Sequence, residues 1–97
     1  MTAYVIAEVE IVNAEGYREY TTMVPATIAQ YGGRFLARGG KTEILEGDWP
    51  AHRRVIIEFD SMEAAKRWWD SPEYAGPKAM RRANSKGRLL LIEGAAP

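Results

Sequence analysis

Ninety-seven residues make one domain, residues 1–97, with a single modest core, since a chain of this size buries about two thirds of its unfolded surface. Thirteen Lys and Arg offset thirteen Asp and Glu, and no five-residue block carries one sign, so neither nucleic acid nor an anionic membrane is expected as a partner. The absence of cysteine removes disulfides, thiolate nucleophiles and Cys-ligated metals. No apolar run nears the roughly 18 residues of a membrane span, and Met1-Thr2-Ala3 lacks the basic start of a secretory signal, so a cytoplasmic protein is expected.

Ala3 to Val12 alternates Val5, Ala7, Val9 and Ile11 against Tyr4, Ile6, Glu8 and Glu10, the pattern of a strand with one wholly apolar face. Asn13 is a natural N-cap, and Glu15 suits the positive end of the helix that follows. Tyr17, Tyr20, Val24, Ile28 and Tyr31 then draw one apolar stripe down it. Pro25 lacks an amide donor and clashes with the preceding turn, which predicts a kink or break near Val24, and Gly32-Gly33 ends the helix.

Arg34 to Arg38 reads as a short second strand, with Gly39-Gly40 as its bend or bulge and Lys41 to Leu45 as a continuation. Glu46 to His52 is polar, rich in glycine and proline, and reads as an irregular loop. Arg53 to Phe59 is a third strand, placing Val55, Ile57 and Phe59 on one face and Arg54, Ile56 and Glu58 on the other. Ser61 caps a second helix whose buried stripe is Met62, Ala65, Trp68 and Trp69. Ser71-Pro72 stops that helix, and Pro72-Glu73 opens another that Gly76-Pro77 should interrupt. Lys78 to Ser85 then reads as a weak turn or two of helix, Gly87 to Glu93 as a fourth strand, and Gly94 to Pro97 as a frayed tail.

The order β-α-β-β-α-β specifies an α+β, ferredoxin-like fold, a four-stranded sheet with helices on one face. Val5, Val9, Val55, Ile57 and Phe59 fall on the helix side. Ile6, Glu8, Leu36, Arg38, Arg54, Ile56 and Glu58 are left on the other, a surface too apolar to stay wet, so a homodimer packed face to face is expected. Arg and Glu could pair across that interface, because an isolated buried charge costs several kcal/mol.

Tyr31-Gly32-Gly33-Arg34-Phe35-Leu36-Ala37-Arg38-Gly39-Gly40, Glu46-Gly47, Arg54-Val55-Ile56-Ile57-Glu58-Phe59, Ala65 and Trp68-Trp69-Asp70-Ser71-Pro72-Glu73-Tyr74 together resemble the "domain of unknown function thirteen-thirty" family over nearly the whole chain. That family is similar to the dimeric α+β barrel superfamily, in which two ferredoxin-like protomers join their sheets. Cofactor-free monooxygenases, muconolactone isomerases, haem degraders and chlorite dismutases share this architecture, so the resemblance implies a fold and not a reaction. The positions matching the family's polar residues are Arg38, Glu46, Arg54, Ser71 and Tyr74. The sequence departs from the family pattern at Trp69, usually tyrosine, and at Gly76-Pro77.

Two functional readings follow. In the first, a pocket bounded by the charged sheet face and the Glu46 to His52 loop binds a small carboxylated or aromatic metabolite. Arg38 and Arg54 would grip a carboxylate or enolate in planar two-point contacts, Trp49, Trp68, Trp69 and Tyr74 would wall a flat ring, His52 and Ser71 would join them in binding the ligand, and Glu46, if desolvated, would move a proton in cofactor-independent or monooxygenase-type chemistry. In the second, the same charges are a structural ion-pair network in a noncatalytic dimeric module, the aromatic residues are core, and Glu46 is a solvated loop residue. A lone histidine supports no metal or haem site, so neither a metal nor a cofactor is expected. The glycine pairs bracket a strand and do not form a phosphate cradle.

Overall fold

The computed structural model describes residues 1–97. β1 (Ala3–Ile11) forms where the alternation predicts it, with Ala3, Val5, Ala7 and Val9 buried. α1 (Ala14–Gln30) starts at Asn13, whose side-chain oxygen accepts from the Gly16 amide at 3.3 Å. The break expected at Pro25 does not occur: α1 runs through it as one helix. Proline cannot donate to the carbonyl four residues back, that of Thr21. Arg38 on the neighbouring strand donates to this carbonyl instead, Nη2 to oxygen 2.6 Å, so the acceptor freed by the proline is satisfied from outside the helix.

β2 (Arg34–Arg38) carries its irregularity at Leu36, between Phe35 and Ala37, and not at Gly39-Gly40 as the glycines suggest. This bulge corrects a face assignment. Arg34 pairs with Glu58 and Phe35 with Ile57, but the extra residue puts Ala37 opposite Ile56 and Arg38 opposite Val55, so Arg38 lies on the helix side and not on the bare face. The expected continuation through Lys41 to Leu45 is absent, and residues 40–52 have no regular structure.

β3 (Arg53–Phe59) buries Val55, Ile57 and Phe59 as predicted. α2 (Met62–Trp69) is capped by Ser61, whose hydroxyl accepts from the Ala64 amide at 3.0 Å. α3 (Pro72–Asn84) is continuous through Gly76-Pro77, against expectation. Pro77 withdraws one donor near the start of the helix, and the acceptor it leaves is the Glu73 carbonyl, in the exposed first turn where water can replace it. β4 (Ser85–Glu93) follows directly.

The sheet order is β2-β3-β1-β4, antiparallel throughout. All three helices pack on one face, with Trp68, Tyr74, Phe59, Ile28 and Val9 fully enclosed. The chain is an α+β, ferredoxin-like domain with one extra helix, α3, before the last strand. On the other face, registered rows run across the strands: Ile56, Ile6 and Leu90 in one, Arg54, Glu8 and Arg88 in the next. Leu90, Ile92 and Leu36 remain more than half exposed there.

Candidate functional site

The residues singled out in the sequence do not converge on one volume. Arg38 and Tyr74 border an internal cavity between the helices and the sheet, Arg54 and Trp49 border a surface hollow on the opposite face, and Glu46 borders neither. Ser71 is a joint: its hydroxyl donates to the Trp68 carbonyl at 2.7 Å and accepts from the Tyr74 amide at 3.1 Å, coupling the end of α2 to the start of α3.

The bare-face charges are occupied with one another. Glu8 receives Arg54 Nη2 at 3.2 Å and Arg88 Nη2 at 3.1 Å, and lies 3.3 Å from His52 Nδ1. Together these contacts hold its carboxyl below the usual range, the His52 hydrogen bond foremost. His52 Nε2 meets Glu10 at 3.2 Å, while Glu58 pairs with Arg34 and not with Arg54. Arg54 donates to the carbonyls of His52 and Pro50 at 2.9 and 2.8 Å and lies over the Trp49 ring. Trp49 in turn donates to the Glu46 carbonyl at 2.9 Å. Arg54 therefore pins the 46–52 loop to the sheet, and the Glu46 carboxyl stays in an exposed segment.

The internal cavity has the opposite character. Its wall is mainly apolar, with Val24, Phe35, Val55, Ile57 and Trp68, and it is only about 30 Å³, room for roughly one water molecule. Three guanidinium groups border it: Arg38 from β2, Arg53 from β3 and Arg81 from α3. None lies within ion-pair distance of a carboxylate, because the salt bridges of this protein involve other cations. Arg81 is 5% exposed, yet its one hydrogen bond from the guanidinium is Nε to the Tyr74 hydroxyl at 3.4 Å. Arg53 Nε is buried with no acceptor, as is Arg54 Nε on the other face.

Three tyrosines, Tyr17, Tyr20 and Tyr74, also border the cavity. Tyr17 and Tyr20 lie one turn apart on the same face of α1, ring centroids 5.4 Å apart, and Tyr20 Oη is 3.0 Å from Tyr74 Oη. The Tyr74 ring is stacked on Trp68, centroids 4.1 Å apart, and Trp68 is itself tied by Nε1 to Thr27 Oγ1 at 3.1 Å. Burial, reinforced by Tyr74, pushes the Tyr20 hydroxyl well above its ordinary value, so it stays protonated. The two hydroxyls share one hydrogen bond, so whichever donates, one O–H hydrogen is left over. No carboxylate or imidazole is in the wall. The cavity thus offers cations and hydroxyl donors and lacks a base.

Glycine at position 39 belongs to this arrangement. Its φ is +67°, and an added Cβ would lie 2.2 Å from Arg53 Nη1, so the guanidinium rests against a backbone that has no side chain.

Tyr20, Arg53 and Arg81 were not singled out by sequence reasoning. Arg81 had a signal: seven residues after Tyr74, it falls on the same buried helix face once α3 is allowed to run through Pro77. Tyr20 reads as a member of an apolar stripe, and nothing in a stripe marks its hydroxyl as facing a second tyrosine on another helix.

Structural comparison gives the fold. A protein of unknown function from Rhodopseudomonas palustris superposes with a TM-score of 0.79 at 20% identity, over 99% of this chain and 84% of that one. SnoaB, a cofactor-independent oxygenase from Streptomyces nogalater, gives 0.68 at 12% identity over 99% and 95% of the two chains. A dimeric protein of unknown function and ferredoxin-like fold from Bacteroides fragilis gives 0.58 at 13% identity over 96% of each. No curated protein matches the sequence. A family model does, over residues 2–95, and by that match the chain belongs to the family described as Domain of unknown function (DUF1330).

Proposed function

We propose that this protein binds a small organic oxyanion, a carboxylate, enolate or phenolate, in the cavity between its helices and its sheet, and that it does so as a homodimer. The observation that carries this reading is the set of three arginines, Arg38, Arg53 and Arg81, around one apolar cavity with no carboxylate partner. Of the three, Arg38 is exposed, Arg53 half-buried and Arg81 buried, so the cost of burying a cation without a counter-charge, several kcal/mol, falls chiefly on Arg81, and a bound anion offsets it. Planar guanidinium forks suit two-point contacts with carboxylate or enolate oxygens. The surplus tyrosine hydrogen adds a donor in the same cavity wall.

The chemistry open to such a site is stabilisation of negative charge that the ligand brings or develops, since the wall provides no base to create it. This is compatible with the cofactor-independent oxygenase among the structural neighbours, to which the likeness is one of fold. The dimer rests on the bare face, where Leu36, Leu90 and Ile92 are exposed beside a network of paired charges, and on the dimeric neighbour. The pairing of Glu8 with Arg54, Arg88 and His52 favours a structural role for that face over ligand binding.

Thermal-shift measurement with a panel of small organic acids and their neutral amides tests the reading. Acids should raise the melting temperature, about 2.7 kcal/mol of stabilisation at a ligand concentration a hundred times the Kd. The Arg53→Gln protein should lose the effect. Equal shifts from acids and amides would remove the oxyanion site, and a monomer in sedimentation at micromolar concentration would remove the dimer.

A further inference from the structure

Three hollows meet at the corner where α3 turns into β4, and Leu89 borders all of them. The first is the internal cavity. The second is a groove of about 270 Å³ between α2 and β4, whose lining is apolar except for Lys66. The third is a more open hollow beside the end of α3, bordered by Arg81, Arg82 and Lys86. Arg81 is thus shared by the cavity and the open hollow, and Trp68 by the cavity and the apolar groove.

Size forces a choice about the ligand. A cavity of about 30 Å³ takes roughly one water molecule, whereas an apolar hollow of about 150 Å³ holds benzene. An organic acid placed against Arg81 must therefore extend its body outside the cavity, and the α2–β4 groove is the adjoining space of matching chemistry. Leu89 is the septum between them. It is half-buried, on an edge strand paired on one side alone, so moving it disturbs no second strand.

We infer that the ligand is an amphipathic organic acid whose carboxylate is held at Arg81 while its aromatic or alkyl body lies along the groove formed by Val5, Ala65, Trp68 and Leu91, with Leu89 swinging aside to admit it. This rests on the reading of the cavity as an oxyanion site and adds to it the shape of the ligand and its way in. Charge complementarity selects this occupant: the one buried guanidinium without a carboxylate borders the internal cavity, which meets the groove at Leu89 and Trp68.

The probes are benzoate, phenylacetate, 3-phenylpropionate and 4-phenylbutyrate with their primary amides, titrated into the intact protein. Binding is followed by calorimetry and by the fluorescence of Trp68 and Trp69, which border the groove. Affinity should rise at least tenfold from benzoate to 4-phenylbutyrate, and each acid should bind at least tenfold more tightly than its amide. In stopped flow, Leu89→Ala should speed association several-fold and Leu89→Phe should slow it. Acids that outbind their amides with no dependence on chain length, or with Leu89 variants that associate at the wild-type rate, would overturn the groove and its septum and leave the oxyanion site standing. Acids that bind no better than amides would overturn both. The acid and amide series on the unaltered protein decides between these even where a Leu89 variant fails to fold.

Discussion

Replacing Arg81 by methionine should make the empty protein more stable and abolish its preference for anions. Arg81 is 5% exposed, lacks a carboxylate partner, and makes a single long hydrogen bond, 3.4 Å to Tyr74. Its desolvation is thus poorly compensated, and exchanging a buried ion for a well-packed apolar side chain of similar length is often neutral or stabilising by about 1–4 kcal/mol. The losses are small. Tyr74 keeps Tyr20 as its hydroxyl partner at 3.0 Å, so no buried polar atom is orphaned, and the contact with Trp69 is a distant one, 6.0 Å from cation to ring centroid. A gain of about 1 kcal/mol in a domain this size raises Tm by about 4–8 °C. Urea denaturation and calorimetry on Arg81→Met would measure it, together with loss of stabilisation by organic acids. A fall in Tm of similar size would refute the reasoning, because it would mean that the guanidinium is a structural group whose partners in the folded protein satisfy it.

Other consequences are smaller. Tyr74→Phe removes the hydroxyl that Tyr20 and Arg81 both contact and should cost about 1 kcal/mol in urea unfolding, with weaker acid binding; unchanged stability would mean that the pair is not a bond. Gly33→Ala drives a Cβ to within 2.6 Å of the buried Phe59 ring and 2.8 Å of Ile28, so about 1–3 kcal/mol should be lost through overpacking, visible as a lower urea midpoint. The Glu8 and Glu73 carboxyls are held below their ordinary value of 4.5, Glu8 chiefly by His52 and Glu73 chiefly by Tyr31. Their contribution is present above pH 4.5 and disappears as pH falls through the lowered values. A Glu8→Gln, Glu73→Gln double variant should therefore show a flatter acid limb in a plot of urea midpoint against pH, and an unchanged limb would assign it to other groups. Tyr20 and Tyr31 are raised above 10.0, by burial and by the Glu73 hydrogen bond respectively, so stability should decline as pH rises past 10; a flat alkaline limb would contradict this.

By itself the sequence determined the strands, the capped helix starts and the helix side of β1 and β3, because alternation and N-capping are local properties in which each residue's side follows from its neighbours. The family was legible too, as short segments in fixed order. What only the tertiary structure decided was which polar groups meet. One extra residue at Leu36 carried Arg38 to the opposite face, where it took over the carbonyl freed by Pro25 and so kept α1 whole. Arg81 joined Tyr74 and Tyr20 only because α3 continued past Pro77 and packed on α1. A bulge adds no sequence period of its own, and a proline's effect depends on whether some distant donor replaces the missing amide. The site therefore arose from contacts between residues far apart in the chain, while the fold could be read from residues close together.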